Sequence, residues 1–246
     1  MRYQKFILSL LLGIGAAGMA GAQTYPTKSI RIVVPYAAGG FTDIVARLVA
    51  QKMAERLGQA VIVDNKAGAS TIIGAEAVAK APPDGYTLLM AATTTLSTNP
   101  LLFKKLPYQL ADFAPIALCG LTPFVLIAHP SLPANNAKEL VALAKAKPGS
   151  LSVATLGIGS SVHLVVAMFR AATGVEFTDI PYKGSGPASN DLIAGQVQLY
   201  IDAVSTSVPR IRAGQVKGLG ITSAVRSPAA PALPTFTEQG IPDMVA

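Results

Sequence analysis

Short apolar runs alternate with longer segments of helical periodicity in the first third of the chain. Ile30–Val34 is an apolar run ended by Pro35, which predicts a buried strand. Residues 43–57 have the pattern of a helix, with Thr42 as its N-cap and Gly58 as its stop. The alternation continues with strands predicted at 61–64 and 86–91 and a helix at 71–81. This βαβαβ order predicts a parallel sheet with helices on both faces.

A second series of strands and helices occupies most of the remaining chain. Phe124–Ala128 predicts a strand, and Ala137–Ala146 predicts an amphipathic helix capped at the Asn135-Asn136 pair and ended by Pro148-Gly149. The alternation continues through 151–155, 162–172, 177–180, 190–194, 198–202, 208–213 and 218–222. Four prolines near residues 100–123 mark the boundary between the two series. The sequence therefore predicts two α/β lobes, with a cleft that suits a ligand enclosed by hinge closure.

The N-terminus has the features of a Sec-type signal peptide. Arg2 and Lys5 form a short basic region, residues 6–14 form an apolar stretch, and Ala20-Gly21-Ala22 is a small-x-small cleavage site. The apolar stretch is too short for a transmembrane helix and is broken by glycines. We therefore expect cleavage of residues 1–22 and a soluble, monomeric mature protein in the periplasm.

Composition and charge exclude several classes of protein. Hydrophobic residues make up 51% of the chain and charged residues 13%, which is typical of a folded protein and not of a disordered one. Removal of Arg2 and Lys5 lowers the formal net charge from +7 to +5. No dense basic run accompanies this charge, so we expect anionic solutes and no nucleic acid as partners. The single cysteine, Cys119, is expected to be buried, and no cluster of residues has metal-ligand spacing.

The first candidate binding loop comprises residues 35–43, between a strand and a helix. Gly39 and Gly40 can adopt backbone angles closed to other residues and let a ligand approach the main chain. The helix behind them supplies free N–H groups and the positive end of its dipole, and Thr42 adds a hydroxyl. Asp43 has two interpretations: it stabilises its own helix start, or it orders water or pairs with a ligand amine.

Residues 155–163 repeat this arrangement in the second series. Gly157 and Gly159 supply flexibility, while Ser160 and Ser161 supply hydroxyl donors at a helix start. Two such loops predict a cleft with a helix N-terminus on each wall, which suits a carboxylate, or a dicarboxylate held at both ends. Neither loop contains Lys or Arg, so we expect reversible recognition by neutral main-chain donors.

A secreted serine hydrolase is the alternative that these residues raise, because Ser160 and His163 are three apart at a helix start. A nucleophilic serine needs a base within reach and an orienting acid, and this segment lacks the Gly-x-Ser-x-Gly elbow. We therefore expect no catalytic residues. No dinucleotide or Walker motif occurs, so no nucleotide cofactor is expected.

Polar residues that follow other strands either border the cleft or are structural only. Together with the two loops they give the candidate ligand-binding set, which consists of Tyr36, Ala37, Ala38, Gly39, Gly40, Thr42, Asp43, Thr93, Thr94, Gly157, Gly159, Ser160, Ser161, His163, Tyr182 and Asp202.

A series of short motifs extends along the chain: Tyr25-Pro-Thr-Lys-Ser-Ile-Arg31, Val34-Pro35, Gly39-Gly40, Thr42-Asp43, Pro83-Asp-Gly-Tyr-Thr87, His129-Pro-Ser-Leu-Pro133 and Pro181-Tyr-Lys-Gly184. This series resembles the Bug/TctC family, the substrate-binding receptors of tripartite tricarboxylate transporters. The resemblance implies a two-lobed, Venus-flytrap fold of the type II periplasmic binding class. It also implies a di- or tricarboxylate, acidic amino acid or aromatic acid as ligand, held by the two loops, and membrane transporter subunits as partners.

The chain departs from the family pattern in three respects. Ala37-Ala38 stands where the family usually has prolines, and Phe41 occupies a position that is often small and polar. Family members are also longer, so we expect a C-terminally truncated first lobe formed by 23–122 and 223–246, and a second lobe formed by 123–222. A periplasmic sensor that presents its ligand to a histidine kinase is a further alternative to transport.

Overall fold

The fold was obtained as a computed structural model, which describes residues 25–246. The predicted signal peptide at 1–22 lies outside the described residues. The first sheet consists of β1 (Ile30–Val34), β2 (Val61–Asn65) and β3 (Thr87–Leu89) in the order β2-β1-β3. All its strands are parallel, which confirms the prediction from the βαβαβ order.

The helices of the first unit are α1 (Phe41–Leu57) and α2 (Ile72–Ala79). Helix α1 begins two residues earlier than predicted, because Gly40 and not Thr42 is the N-cap. It ends as predicted at Gly58, whose left-handed conformation (φ 64°) closes the last turn. Its inner face packs on the sheet through a small core of Ile32, Val34, Ala46 and Ala50.

The second sheet is mixed. It consists of β4 (Phe124–Ala128), β5 (Ser152–Thr155), β6 (Thr178–Pro181), β7 (Leu199–Ala203) and β8 (Lys217–Ile221), in the order β6-β5-β7-β4-β8. Strand β5 is parallel to β6 and β7, whereas β4 is antiparallel to β7 and β8. The core around this sheet is larger than the first and includes Val125, Leu140, Phe169, Tyr200 and Ile221.

Short helical segments connect the two sheets, and longer helices cover the second. The connection contains a π-helical turn (Thr94–Thr98), α3 (Asn99–Leu102) and a 3₁₀ turn (Leu110–Asp112). The second unit has α4 (Ala137–Ala146), α5 (Ser161–Thr173), α6 (Ser185–Ile193) and α7 (Val204–Arg212). No helix within residues 25–246 is both long enough and apolar enough to cross a membrane.

The prediction for Cys119 is wrong, since its side chain is exposed. Residues 114–123 run between the two sheets as irregular chain and belong to neither. Ile116, Leu118 and Leu121 of this stretch are 79%, 77% and 84% exposed. An apolar run in sequence does not ensure burial when the segment joins no sheet.

The C-terminal stretch at 223–246 was expected to return to the first lobe, but it packs against the second sheet. Phe236, Ile241 and Met244 belong to the larger core. The side chain of Gln239 accepts a hydrogen bond from the Ala137 amide at 2.7 Å and donates one to the Leu219 carbonyl at 3.0 Å. These contacts tie the end of the described chain to the second unit.

Candidate functional site

A cavity of about 330 Å³ lies between the two sheets, where parallel strands of both units end. Its lining follows the carboxyl ends of β1, β2, β5 and β6, the place where ligands bind in open α/β sheets. The lining residues are Pro35, Tyr36, Gly68, Ala69, Ser70, Thr71, Leu156, Gly157, Pro181, Tyr182 and Lys183. Of the predicted ligand-binding set, Tyr36, Gly157 and Tyr182 therefore line the cavity directly.

Thr94 connects the two predicted loops. Its fully buried hydroxyl oxygen accepts a hydrogen bond from the Tyr36 hydroxyl at 3.0 Å and one from the Ser161 amide at 3.2 Å. Burial raises the pKa of Tyr36, although the hydrogen bond to Thr94 acts in the opposite direction. The phenol therefore stays protonated at neutral pH and remains a donor. Thr93, its neighbour, is exposed.

Asp43 holds the first loop in place. Its buried carboxylate accepts hydrogen bonds from the Gly39 amide at 3.0 Å, from Arg47 at 3.0 Å and from the Asn65 side chain at 2.9 Å. Burial alone would raise the pKa of Asp43, but the hydrogen bonds from Arg47, Gly39 and Asn65 lower it below its usual value. With its oxygens occupied in this way, the contacts support the structural interpretation of Asp43.

Residues 37–40 face the other unit and lie beside the cavity. The Ala37 amide donates to the Lys183 carbonyl at 3.0 Å. A Cβ added to Gly184 would lie 2.7 Å from the Ala37 nitrogen, and one added to Gly40 would lie 3.0 Å from the Ser185 side chain. Ala38 and Gly39 likewise lie against Gly186, while Thr42 is half-buried in the first turn of α1. This close backbone approach brings the two units together at one rim of the cavity.

A left-handed turn that the sequence analysis missed forms another wall. Gly68, Ala69, Ser70 and Thr71 have φ angles of 137°, 46°, 50° and 77°, and the Ile72 amide closes the turn on the Ala69 carbonyl at 3.0 Å. Left-handed backbone costs about 1–2 kcal/mol for each residue other than glycine. Helix α2 was predicted to start at Thr71, but it starts at Ile72 because Thr71 belongs to this turn.

Side chains from the connecting segment support this turn. Asn99 donates to the Ser70 carbonyl at 2.8 Å and to the Thr71 hydroxyl at 3.2 Å. The Thr95 hydroxyl donates to the Thr71 hydroxyl at 2.9 Å. Strained backbone maintained by its surroundings is concentrated at binding sites, and this turn borders the cavity.

The second loop meets the left-handed turn across the cleft. The Ser70 hydroxyl donates to the Ile158 carbonyl at 2.8 Å. A Cβ added to Gly157 (φ 93°) would lie 2.9 Å from the Ser70 hydroxyl oxygen, so glycine permits the approach. A Cβ added to Gly159, which also has a positive φ of 76°, would meet the side chains of Thr98 and Leu102.

The start of α5 is satisfied largely by protein groups. The Ser160 hydroxyl accepts the His163 amide at 3.1 Å and caps the helix, and the Ser161 amide binds Thr94. Nδ1 of His163 accepts the Gly159 amide at 3.3 Å. Ser160 and His163 thus meet through cap contacts, which differ from the hydroxyl–imidazole contact of a serine nucleophile and its base. Within residues 25–246, no cluster of His, Cys, Asp and Glu could hold a metal ion.

Asp202 lies beneath the rim and supports it from below. It accepts hydrogen bonds from the Ser185 hydroxyl at 3.0 Å and the Thr206 hydroxyl at 2.8 Å, and Arg210 lies 3.6 Å away. Burial raises the pKa of Asp202, although these donors oppose the effect. Tyr200 also donates to Ser185, at 2.8 Å. Asp202 therefore positions Ser185, which packs against Gly40.

Comparisons with known proteins agree with this architecture. The family described as "Tripartite tricarboxylate transporter family receptor" matches residues 45–246. Protein BugT of Bordetella pertussis (strain Tohama I) is 40% identical over 251 residues, which span 100% of this chain and 77% of BugT.

Two solved structures from Rhodopseudomonas palustris share the fold. Rpa4515, solved with adipate, has a TM-score of 0.87 and 38% identity, over 90% of this chain and 75% of that one. MatC, solved with bound malate, has a TM-score of 0.85 and 35% identity, over 90% and 76%. The predicted family and the predicted periplasmic-binding-protein fold are confirmed, and the chain spans about three quarters of the length of these relatives. The chain belongs to the tripartite tricarboxylate transporter receptor family.

Proposed function

We propose that the protein is an extracytoplasmic receptor that binds a small carboxylate and delivers it to the membrane subunits of a tripartite transporter. The observation that carries this proposal is the cavity enclosed by the strand ends of both units. Its walls are main chain, hydroxyl and apolar groups, and its one charged lining residue is the cation Lys183. Such a lining favours an anion, and the relatives solved with adipate and malate bind dicarboxylates.

The arrangement is suited to reversible capture without catalysis. Contacts from Ser70 to Ile158 and from Ala37 to Lys183 close the rim when the two units come together. Each contact is a single hydrogen bond between neutral groups, worth about 0.5–1.5 kcal/mol, so the closed form can reopen to release its ligand. Export by the signal peptide at 1–22 would place this receptor in the periplasm.

Isothermal titration of the mature protein with adipate, malate and a wider panel of di- and tricarboxylates tests the proposal. We expect saturable binding of one molecule per chain with at least one acid. A protein that melts cooperatively, and is therefore folded, yet gives no heat with any acid would contradict the proposed function.

A further inference from the structure

Two tyrosines line the cavity, Tyr36 from the first unit and Tyr182 from the second. A phenol has a single O–H donor, and in both residues that donor is used within the protein. Tyr36 donates to the Thr94 hydroxyl at 3.0 Å, and Tyr182 donates to a carboxylate oxygen of Asp191 at 2.7 Å. In this arrangement Tyr182 has no proton left to donate to a ligand.

The acceptor of Tyr182 makes this contact a strong one. Hydrogen bonds to an ionised carboxylate are shorter than those between neutral groups and roughly twice as strong. Burial, this hydrogen bond and the charge of Asp191 together raise the pKa of Tyr182 to about 12. The phenol therefore keeps its proton at neutral pH, and the bond to Asp191 persists.

The bond spans the part of the second unit that forms the rim. Tyr182 follows β6, and its amide donates to the Thr155 carbonyl at 2.8 Å, at the end of β5. Asp191 lies in α6 and is not a lining residue of the cavity. Residues 183–186, which pack against residues 37–40 of the first unit, lie between the two in the chain. The side-chain bond thus closes this rim segment into a loop that is fixed at both ends.

We propose that Asp191 is a positioning residue for ligand binding, which acts through Tyr182 and not by contact with the ligand. Its carboxylate holds the Tyr182 ring as a fixed wall of the cavity and keeps residues 183–186 where they meet the first unit. This inference rests on the proposed function and adds to it a residue outside the cavity. A side chain that is ordered before binding loses less freedom when the ligand arrives, so this preorganisation raises affinity.

Removal of the bond from either side should weaken binding equally. Asp191→Ala and Tyr182→Phe each delete it, and we expect about two- to tenfold lower affinity in each, the range that corresponds to ordering one side chain. The double variant should bind no more weakly than either single variant, because both changes remove the same contact. Isothermal titration with a carboxylate that binds the wild type measures these affinities, at a temperature well below the melting point of each variant.

Two further variants separate positioning from a general loss of charge. Asp191→Asn keeps a carbonyl oxygen that can accept the Tyr182 hydroxyl, so it should bind more tightly than Asp191→Ala. Asp179→Ala is the matched control, because Asp179 is a carboxylate of the same unit that pairs with Arg170 at 2.9 Å and does not line the cavity. It should bind ligand as the wild type does.

The outcomes distinguish this inference from the proposed function. Wild-type affinity in Asp191→Ala, or an equal loss in Asp191→Ala and Asp179→Ala, overturns the inference and leaves the proposed function standing. A double variant in which the two losses multiply also overturns it, since the Tyr182 hydroxyl would then act on the ligand independently of Asp191. A folded wild-type protein that binds no carboxylate overturns the proposed function and the inference with it.

Discussion

The Ser70 hydroxyl reaches from the first unit across the cleft to the Ile158 carbonyl of the second, at 2.8 Å. Ser70 adopts a left-handed conformation, and the Asn99 side chain donates a hydrogen bond to the Ser70 carbonyl. A strained turn in one unit thus supplies a hydrogen bond to the binding loop of the other. Because this bond joins the two units, it stabilises the arrangement in which they enclose the cavity.

Substitution of Ser70 by alanine should weaken ligand binding. Loss of one neutral hydrogen bond, worth about 0.5–1.5 kcal/mol, corresponds to an affinity about two- to tenfold lower. Titration calorimetry measures the change. Ser150→Ala is the matched control, because the Ser150 hydroxyl donates to the Lys147 carbonyl at 2.7 Å within the second unit alone. An unchanged affinity in Ser70→Ala would show that this bond does not contribute to closure.

Replacement of Thr94 by valine should reduce both stability and affinity. Valine keeps the shape but removes the acceptor of Tyr36 and Ser161, and each buried donor left unsatisfied costs about 1–3 kcal/mol. Urea unfolding and ligand titration measure the two effects. Thr94→Ser retains the hydroxyl and should recover most of the affinity. If both variants bind ligand equally well, the bridge through Thr94 has no role in binding.

The contribution of Asp43 to stability should depend on pH. Its pKa is lower in the folded protein than in the unfolded chain, so the ionised form stabilises the fold above the pKa of the unfolded carboxyl. This stabilisation is lost as the pH falls through the lower, folded pKa.

Asp43→Asn should therefore melt at a lower temperature than the wild type at pH 7, with a difference that shrinks toward pH 3. Glu55→Gln, at an exposed ion pair on the same helix, is the control and should change little. Melting curves recorded from pH 3 to 7 provide the measurement. A difference for Asp43→Asn that stays constant over this range would contradict the account of its pKa.

Local sequence signals predicted most elements but not the packing of the binding loops. Ala137–Ala146 has the predicted bounds, because the Asn136 cap lies next to it in sequence. The left-handed turn at 68–71 was missed, since Ala69, Ser70 and Thr71 do not favour that conformation and distant Asn99 and Thr95 stabilise it. Tertiary contacts override local preference there.

The candidate site was likewise predicted only in part from the sequence. Both candidate loops were found from glycines between a strand and a helix, and Tyr36 and Gly157 line the cavity. The packing of residues 37–40 against 183–186 could not be predicted, because it depends on how two units far apart in sequence come together. The partners of Asp43 were unpredictable for the same reason.

The central claim, that a carboxylate binds in the cavity between the two units, is tested most directly by titration of two glycine variants. Gly157→Ala and Gly149→Ala both place alanine at a positive φ, 93° and 70°, and should lose similar stability. A Cβ at 157 would crowd Ser70, another lining residue of the cavity, at 2.9 Å from its hydroxyl oxygen, whereas a Cβ at 149 meets nothing within 4 Å. With whichever carboxylate binds the wild type, we predict at least about tenfold weaker binding for Gly157→Ala and unchanged binding for Gly149→Ala. Equal affinity for the two variants would contradict the placement of the ligand in this cavity.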